Sequence, residues 1–76
     1  MRYKLYDKVM AINSGQIKPN KKYKGHIGEI VGIDSSNKWP YMVQFGPEMN
    51  NTLNYFKEES LVLIESFQSQ FLVKVV

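Results

Sequence analysis

Ile27-Gly28-Glu29-Ile30-Val31-Gly32-Ile33-Asp34 is dense in β-branched residues and broken by glycines, and its reading decides the fold. A strand has a side-chain period of two, so Ile30 and Ile33, three apart, cannot both face one side of a regular strand. One extra residue near Gly32 returns both to the same face and bends the strand sharply. The segment therefore predicts a bulged, strongly curved second strand of a small β-structure.

Outward from this strand the chain divides into short β-prone runs separated by turn residues. Before it, Asp7 to Ile12 forms a first strand ending at Asn13-Ser14-Gly15, and residues 16–25 make a long exposed loop with Pro19-Asn20 and four lysines. After it, Ser35-Ser36-Asn37-Lys38 is a polar hairpin tip leading to Tyr41, Val43 and Phe45, which alternate with Met42 and Gln44. Gly46-Pro47 ends that third strand, Thr52 to Phe56 is the fourth, Lys57-Glu58-Glu59-Ser60 suits a single 3₁₀ turn, and Leu61 to Ile64 is the fifth. No segment has the periodicity of a three-turn amphipathic helix, so the chain reads as all-β, and five short strands close best as a barrel.

Length and composition narrow the function. At 76 residues and 43% hydrophobic types the chain is a single small domain with an economical core. The absence of cysteine excludes disulfides, thiolate metal sites and cysteine nucleophiles. No apolar stretch of secretory or membrane-spanning length occurs, which predicts a cytoplasmic protein. His26 is the single histidine and lies in a glycine-flanked loop, so a multi-histidine metal site is not available and a Ser-His-Asp triad is not expected. Glu58 and Glu59 are neighbours in a tight turn and do not face one cleft as paired catalytic carboxylates do. No phosphate-binding glycine-rich loop is present. These features predict a non-enzymatic chain without a cofactor or metal.

Charge is unevenly distributed. Residues 1–24 carry seven basic side chains against one acidic, and residues 25–76 carry three against six. A basic segment opposed to an acidic remainder points to an anionic partner on one side, nucleic acid being the commonest. Lysine outnumbers arginine nine to one, which favours attraction to phosphate over bidentate reading of base edges.

Tyr23-Lys24-Gly25-His26-Ile27-Gly28-Glu29-Ile30-Val31-Gly32-Ile33, followed by Tyr41-Met42-Val43-Gln44-Phe45, resembles the KOW motif in its SH3-like barrel. With Tyr55-Phe56-Lys57-Glu58-Glu59-Ser60-Leu61 the chain is similar to small SH3-like proteins of Gram-positive phages and prophages, of the YorP type. The resemblance covers roughly residues 7–64 and implies a five-stranded SH3-like, KOW-like barrel, which sets the domain at residues 1–64 with 65–76 as a C-terminal extension. It also implies a binding module, phage-encoded and acting in the host cytoplasm, since such barrels bind RNA, DNA and proteins alike.

Two partners follow. A nucleic acid, RNA or DNA, would be held by Lys18, Lys21, Lys22, Lys24 and Lys38 on phosphates, with Tyr23 and Trp39 stacking on bases. A bacterial host protein would use the same rim, with Tyr55 and His26 beside it. Trp39 precedes Pro40, which holds it extended at the hairpin tip. Tyr41, Phe45 and Phe56 are expected in the core. Phe71 to Val75 is β-prone and is expected to add a strand, within its own barrel or across a two-fold to form a homodimer.

Overall fold

Five antiparallel strands form one sheet in the order β4-β3-β2-β1-β5 in the computed structural model, which describes residues 2–17 and 22–66. The strands are β1 (Lys8–Ala11), β2 (Ile27–Ile33), β3 (Tyr41–Phe45), β4 (Leu53–Phe56) and β5 (Leu61–Glu65), with 3₁₀ turns at Pro47–Met49 and Glu58–Ser60. The all-β expectation holds, and each of the five strands expected between residues 7 and 64 is present within two residues of its anticipated ends. Pro47–Met49 was not anticipated as a turn of helix. Proline at its start supplies a fixed φ, and Asn50 and Asn51 reverse the chain after it in the left-handed region. The expected strand over Phe71 to Val75 lies outside the described residues.

The bulge in β2 is present. Ile30 pairs with Val43, Gly32 with Met42 and Ile33 with Tyr41, so Val31 is the extra residue. Ile30 is fully buried and Ile33 packs against the core from the same side. Gly28, one pleat earlier, has no room for a side chain: a Cβ there would lie 2.6 Å from Val43 Cγ1 and 2.8 Å from the Gln44 carbonyl oxygen.

Register assigns the two faces. Val9, Ala11, Ile30, Tyr41, Val43, Phe45, Phe56 and Leu61 point inward and form the core, while Lys8, Met10, Ile27, Glu29, Met42, Gln44, Leu53, Tyr55 and Val62 lie on the outer face. Tyr3 joins the core from outside the sheet. Its ring meets that of Tyr41 edge-on at 5.1 Å, its hydroxyl donates to the Leu61 carbonyl at 2.8 Å, and the Tyr41 hydroxyl accepts from the backbone N–H groups of Arg2 and Tyr3.

The sheet is strongly curled. β4 and β5 occupy opposite edges, four strand spacings apart, which is about 19 Å across a flat sheet. Yet Phe56 and Leu61 are separated by only five residue steps, three of those residues lying in a 3₁₀ turn that rises about 2 Å per residue. The link reaches only if the edges approach each other. Phe56 and Leu61 accordingly share one core. Among the described residues no ladder joins β4 to β5.

Candidate functional site

The side chains best placed to meet a partner gather on the outer face at the β2–β3 hairpin. The ladders set Gly32 opposite Met42 and Met42 opposite Tyr55, giving one row across β2, β3 and β4. Gly32 leaves the row open, for a Cβ there would stand 2.9 Å from Met42 Cε. The hairpin folds its own end wall. Asp34 Oδ1 accepts from Ser36 N at 3.1 Å and Ser36 Oγ at 2.7 Å, Asn37 Oδ1 accepts from Trp39 N at 2.9 Å, and Asp34 N donates to the Pro40 carbonyl at 2.9 Å. These bonds hold the half-buried Trp39 and Pro40 against the row. The result is a groove of about 390 Å³ lined by Gly32, Asp34, Trp39, Pro40, Met42 and Tyr55.

Cations flank the groove. Lys57 Nζ stands 4.8 Å from the centre of the Trp39 ring, a cation–π contact, and Lys38 is exposed on the hairpin beside Trp39. Asp34 brings the one carboxylate of the lining. The hydrogen bonds from the Ser36 hydroxyl, and then from its backbone N–H, hold that carboxyl below the ordinary aspartate range, so the hairpin keeps its anionic turn.

Of the residues expected at the site, Trp39 and Tyr55 come together and Lys38 adjoins them. Tyr23 does not. It is 8% exposed, with its ring 4.9 Å from that of Phe45 and 6.4 Å from that of Phe56, so the expected stacking role is corrected to a core role. Its position between lysines hides this, because the chain turns inward for one residue to plug the open end of the sheet. Lys22 and Lys24 are exposed and His26 half-buried on the turn just before β2, whereas the groove lies just after it. The seven-residue strand places those ends about 20 Å apart. The other stem of the same loop runs beside the groove instead: Gln16 N donates to the Tyr55 carbonyl at 2.7 Å. Lys18 and Lys21 lie outside the described residues.

Lys57 was not anticipated as a site residue. Alternation carries the signal: with Phe56 inward, Tyr55 and residue 57 fall on the outer face together. Among the described residues no group of three His, Asp or Glu side chains is arranged to hold a metal, and no helix is long and apolar enough to cross a membrane. No family model, curated protein or solved structure matches this chain.

Proposed function

We propose that this chain is a small non-catalytic module, an SH3-like barrel of the KOW-like kind, that binds single-stranded nucleic acid in the Trp39–Tyr55 groove. The fold part of this reading draws support from the bulge at Val31, the 3₁₀ turn leading straight into β5 and the curl that brings the two sheet edges together. The functional part rests on one observation: two aromatic rings line a groove whose flanks carry Lys38 and Lys57, with the Lys57 ammonium already over the indole. A base stacking on an aromatic ring contributes about 1–3 kcal/mol whatever its identity. An incoming base displaces the ammonium from the ring, and the freed charge turns to the adjacent phosphate. Lys22 and Lys24, at the far end of β2, add long-range attraction without touching the bases.

Trp39 is the sole tryptophan, so it reports on its own groove. Titration with oligo(dT) or oligo(U) at low salt is expected to quench its fluorescence. Trp39→Ala is expected to weaken binding of a labelled oligonucleotide about tenfold or more while leaving the salt slope unchanged. Lys38→Gln and Lys57→Gln should each reduce the slope of log affinity on log salt by about 0.7. Asp34 favours a second reading, a host-protein segment rich in proline and lysine or arginine, since a carboxylate repels phosphate and attracts such a peptide. Quenching by a basic proline-rich peptide, with none by either oligonucleotide, would replace the first reading with the second.

A further inference from the structure

The turn before β1 holds an exposed aromatic ring in a backbone conformation that glycine usually takes. Asp7 N donates to the Lys4 carbonyl at 3.1 Å and Lys4 N to the Asp7 carboxylate at 3.0 Å, closing a turn over Lys4 to Asp7 in which Tyr6 stands third, at a φ of 70°. Tyr6 N donates to the Ile30 carbonyl at 2.7 Å and Ile30 N to the Asp7 carbonyl at 3.0 Å, so Tyr6 and Asp7 together face one residue of β2. Both the turn position and the first place of such a bulge favour glycine, because a Cβ in the left-handed region crowds the following carbonyl. Gly25, at a φ of 86°, meets that requirement in the turn into β2, whereas Tyr6 meets it with a ring that is 53% exposed and outside the core cluster. Strain held where the side chain adds little to the core points to a task in solvent.

The bulge puts Tyr6 beside the groove. Ile30 and Val31 lead directly to Gly32, the open position in the row of Gly32, Met42 and Tyr55, so Tyr6 flanks β2 on its β1 side as Met42 does on its β3 side. From Tyr6 to Tyr55 is three strand spacings, about 14 Å, too far for one base to reach both rings. Charge follows the same line. Arg2 N donates to the hydroxyl of Tyr41, which pairs with Ile33 at the groove, so exposed Arg2 and Lys4 lie at the groove end of the sheet. The carboxylates of Glu29 and Glu65 fall on the Lys8 row, one pleat back along β2, where Lys8 Nζ is 3.8 Å from Glu65. We propose that Tyr6 is a third stacking position: a single strand seated on Trp39 and Tyr55 continues across Gly32 and lays a further base on the Tyr6 ring, with its phosphates toward Arg2 and Lys4. This rests on the nucleic-acid reading and extends it from two bases to three.

Probe length separates this inference from the reading beneath it. A thymidine dinucleotide, which reaches Trp39 and Tyr55 alone, and an oligo(dT) of about six nucleotides are titrated into the full chain at low salt and followed by Trp39 fluorescence. Tyr6→Gly and Tyr6→Asn, both at ease in the left-handed region, should each weaken the longer probe at least about fivefold and leave the dinucleotide within about twofold of wild type. Tyr6→Phe, which keeps the ring, should bind both probes as the wild type does. Wild-type affinity of Tyr6→Gly and Tyr6→Asn for the longer probe overturns the proposal, since no base then reaches Tyr6. So does an equal loss on both probes with a lowered melting temperature, which would make the ring a packing element. Quenching of the wild type by neither probe would instead remove the nucleic-acid reading, and this inference with it.

Discussion

Gly15 and Asn54 share a space that holds only one side chain: a Cβ at Gly15 would stand 2.6 Å from Asn54 Nδ2 and 2.8 Å from its Cγ. Asn54 is fully buried, and its amide pairs with the backbone of Ile17 as a strand would, Oδ1 accepting from Ile17 N at 2.8 Å and Nδ2 donating to Ile17 O at 3.2 Å. The same Oδ1 accepts from Tyr55 N at 2.8 Å. Asn54 thus fastens one stem of the long loop to the edge strand β4. Gly15→Ala is expected to destabilise by about 1–3 kcal/mol through overpacking. Asn54→Ala should cost about 1–3 kcal/mol for each buried group it leaves unpaired. Urea unfolding measures both, and wild-type midpoints would show that the stem is not held this way.

Tyr3 ties the N-terminal segment to β5. Tyr3→Phe keeps the ring against Tyr41 and removes the bond to the Leu61 carbonyl, with an expected loss of about 1 kcal/mol. Burial raises the Tyr3 pKa, with the Arg2 charge acting the other way. A phenol whose folded pKa is raised contributes stability that is complete below the ordinary tyrosine range and lost as pH climbs through the raised value. Urea midpoints followed from neutral to alkaline pH should therefore fall more steeply for the wild type than for Tyr3→Phe. Parallel falls would remove Tyr3 from the account.

Phe56 stands where β4, Tyr23 and Phe45 meet, with ring centres 6.4 Å and 5.9 Å from theirs and no exposed surface. Phe56→Ala should destabilise by about 3–5 kcal/mol. For a domain of this size each kcal/mol lowers the melting temperature by about 4–8 °C, so the variant should be largely unfolded at physiological temperature. Calorimetry showing a wild-type transition would place Phe56 outside the core.

Acid should loosen the hairpin late. Because the Asp34 pKa is lowered, the turn it forms with Ser36 is present above the ordinary aspartate range and is lost only as pH falls through the depressed value. The Ser36 amide resonance, followed by NMR during acid titration, should move below the range of an unperturbed aspartate, and the Trp39 indole should follow. A Ser36 transition at the ordinary position would mean that the carboxylate is not engaged.

The parts legible in the sequence are those where period and geometry act on neighbours. Ile30 and Ile33 disagree with a regular strand, and that conflict alone locates the bulge. Gly25, at a φ of 86°, occurs where a basic loop must turn into β2. Less legible was whatever depends on residues distant in the chain. Asn54 falls within the fourth strand with nothing in its neighbours to mark its amide as buried until Ile17 is beside it, and nothing local to Tyr3 points to the Leu61 carbonyl. Of the site, Trp39 and Tyr55 were visible as aromatics near turns. Tyr23 looked the same and differs only because the sheet leaves an open end for it to fill. Lys57 lacked the loop setting that drew attention to the other lysines.

Strand β1 is made first but finds its second neighbour last: Ala11 pairs with Leu61, fifty residues later. At about 5–20 residues per second a growing chain waits several seconds between the two events. During that interval β1 can pair on one side only, and the Tyr3 hydroxyl has no Leu61 carbonyl to bond. Assembly is therefore deferred until β5 has left the ribosome, and it is governed by loop closure over nearly the whole domain, the condition under which small β-proteins fold in milliseconds to seconds rather than microseconds. A chain stopped short of residue 61 would be a substrate for proteases and chaperones, whatever the quality of the four strands already made.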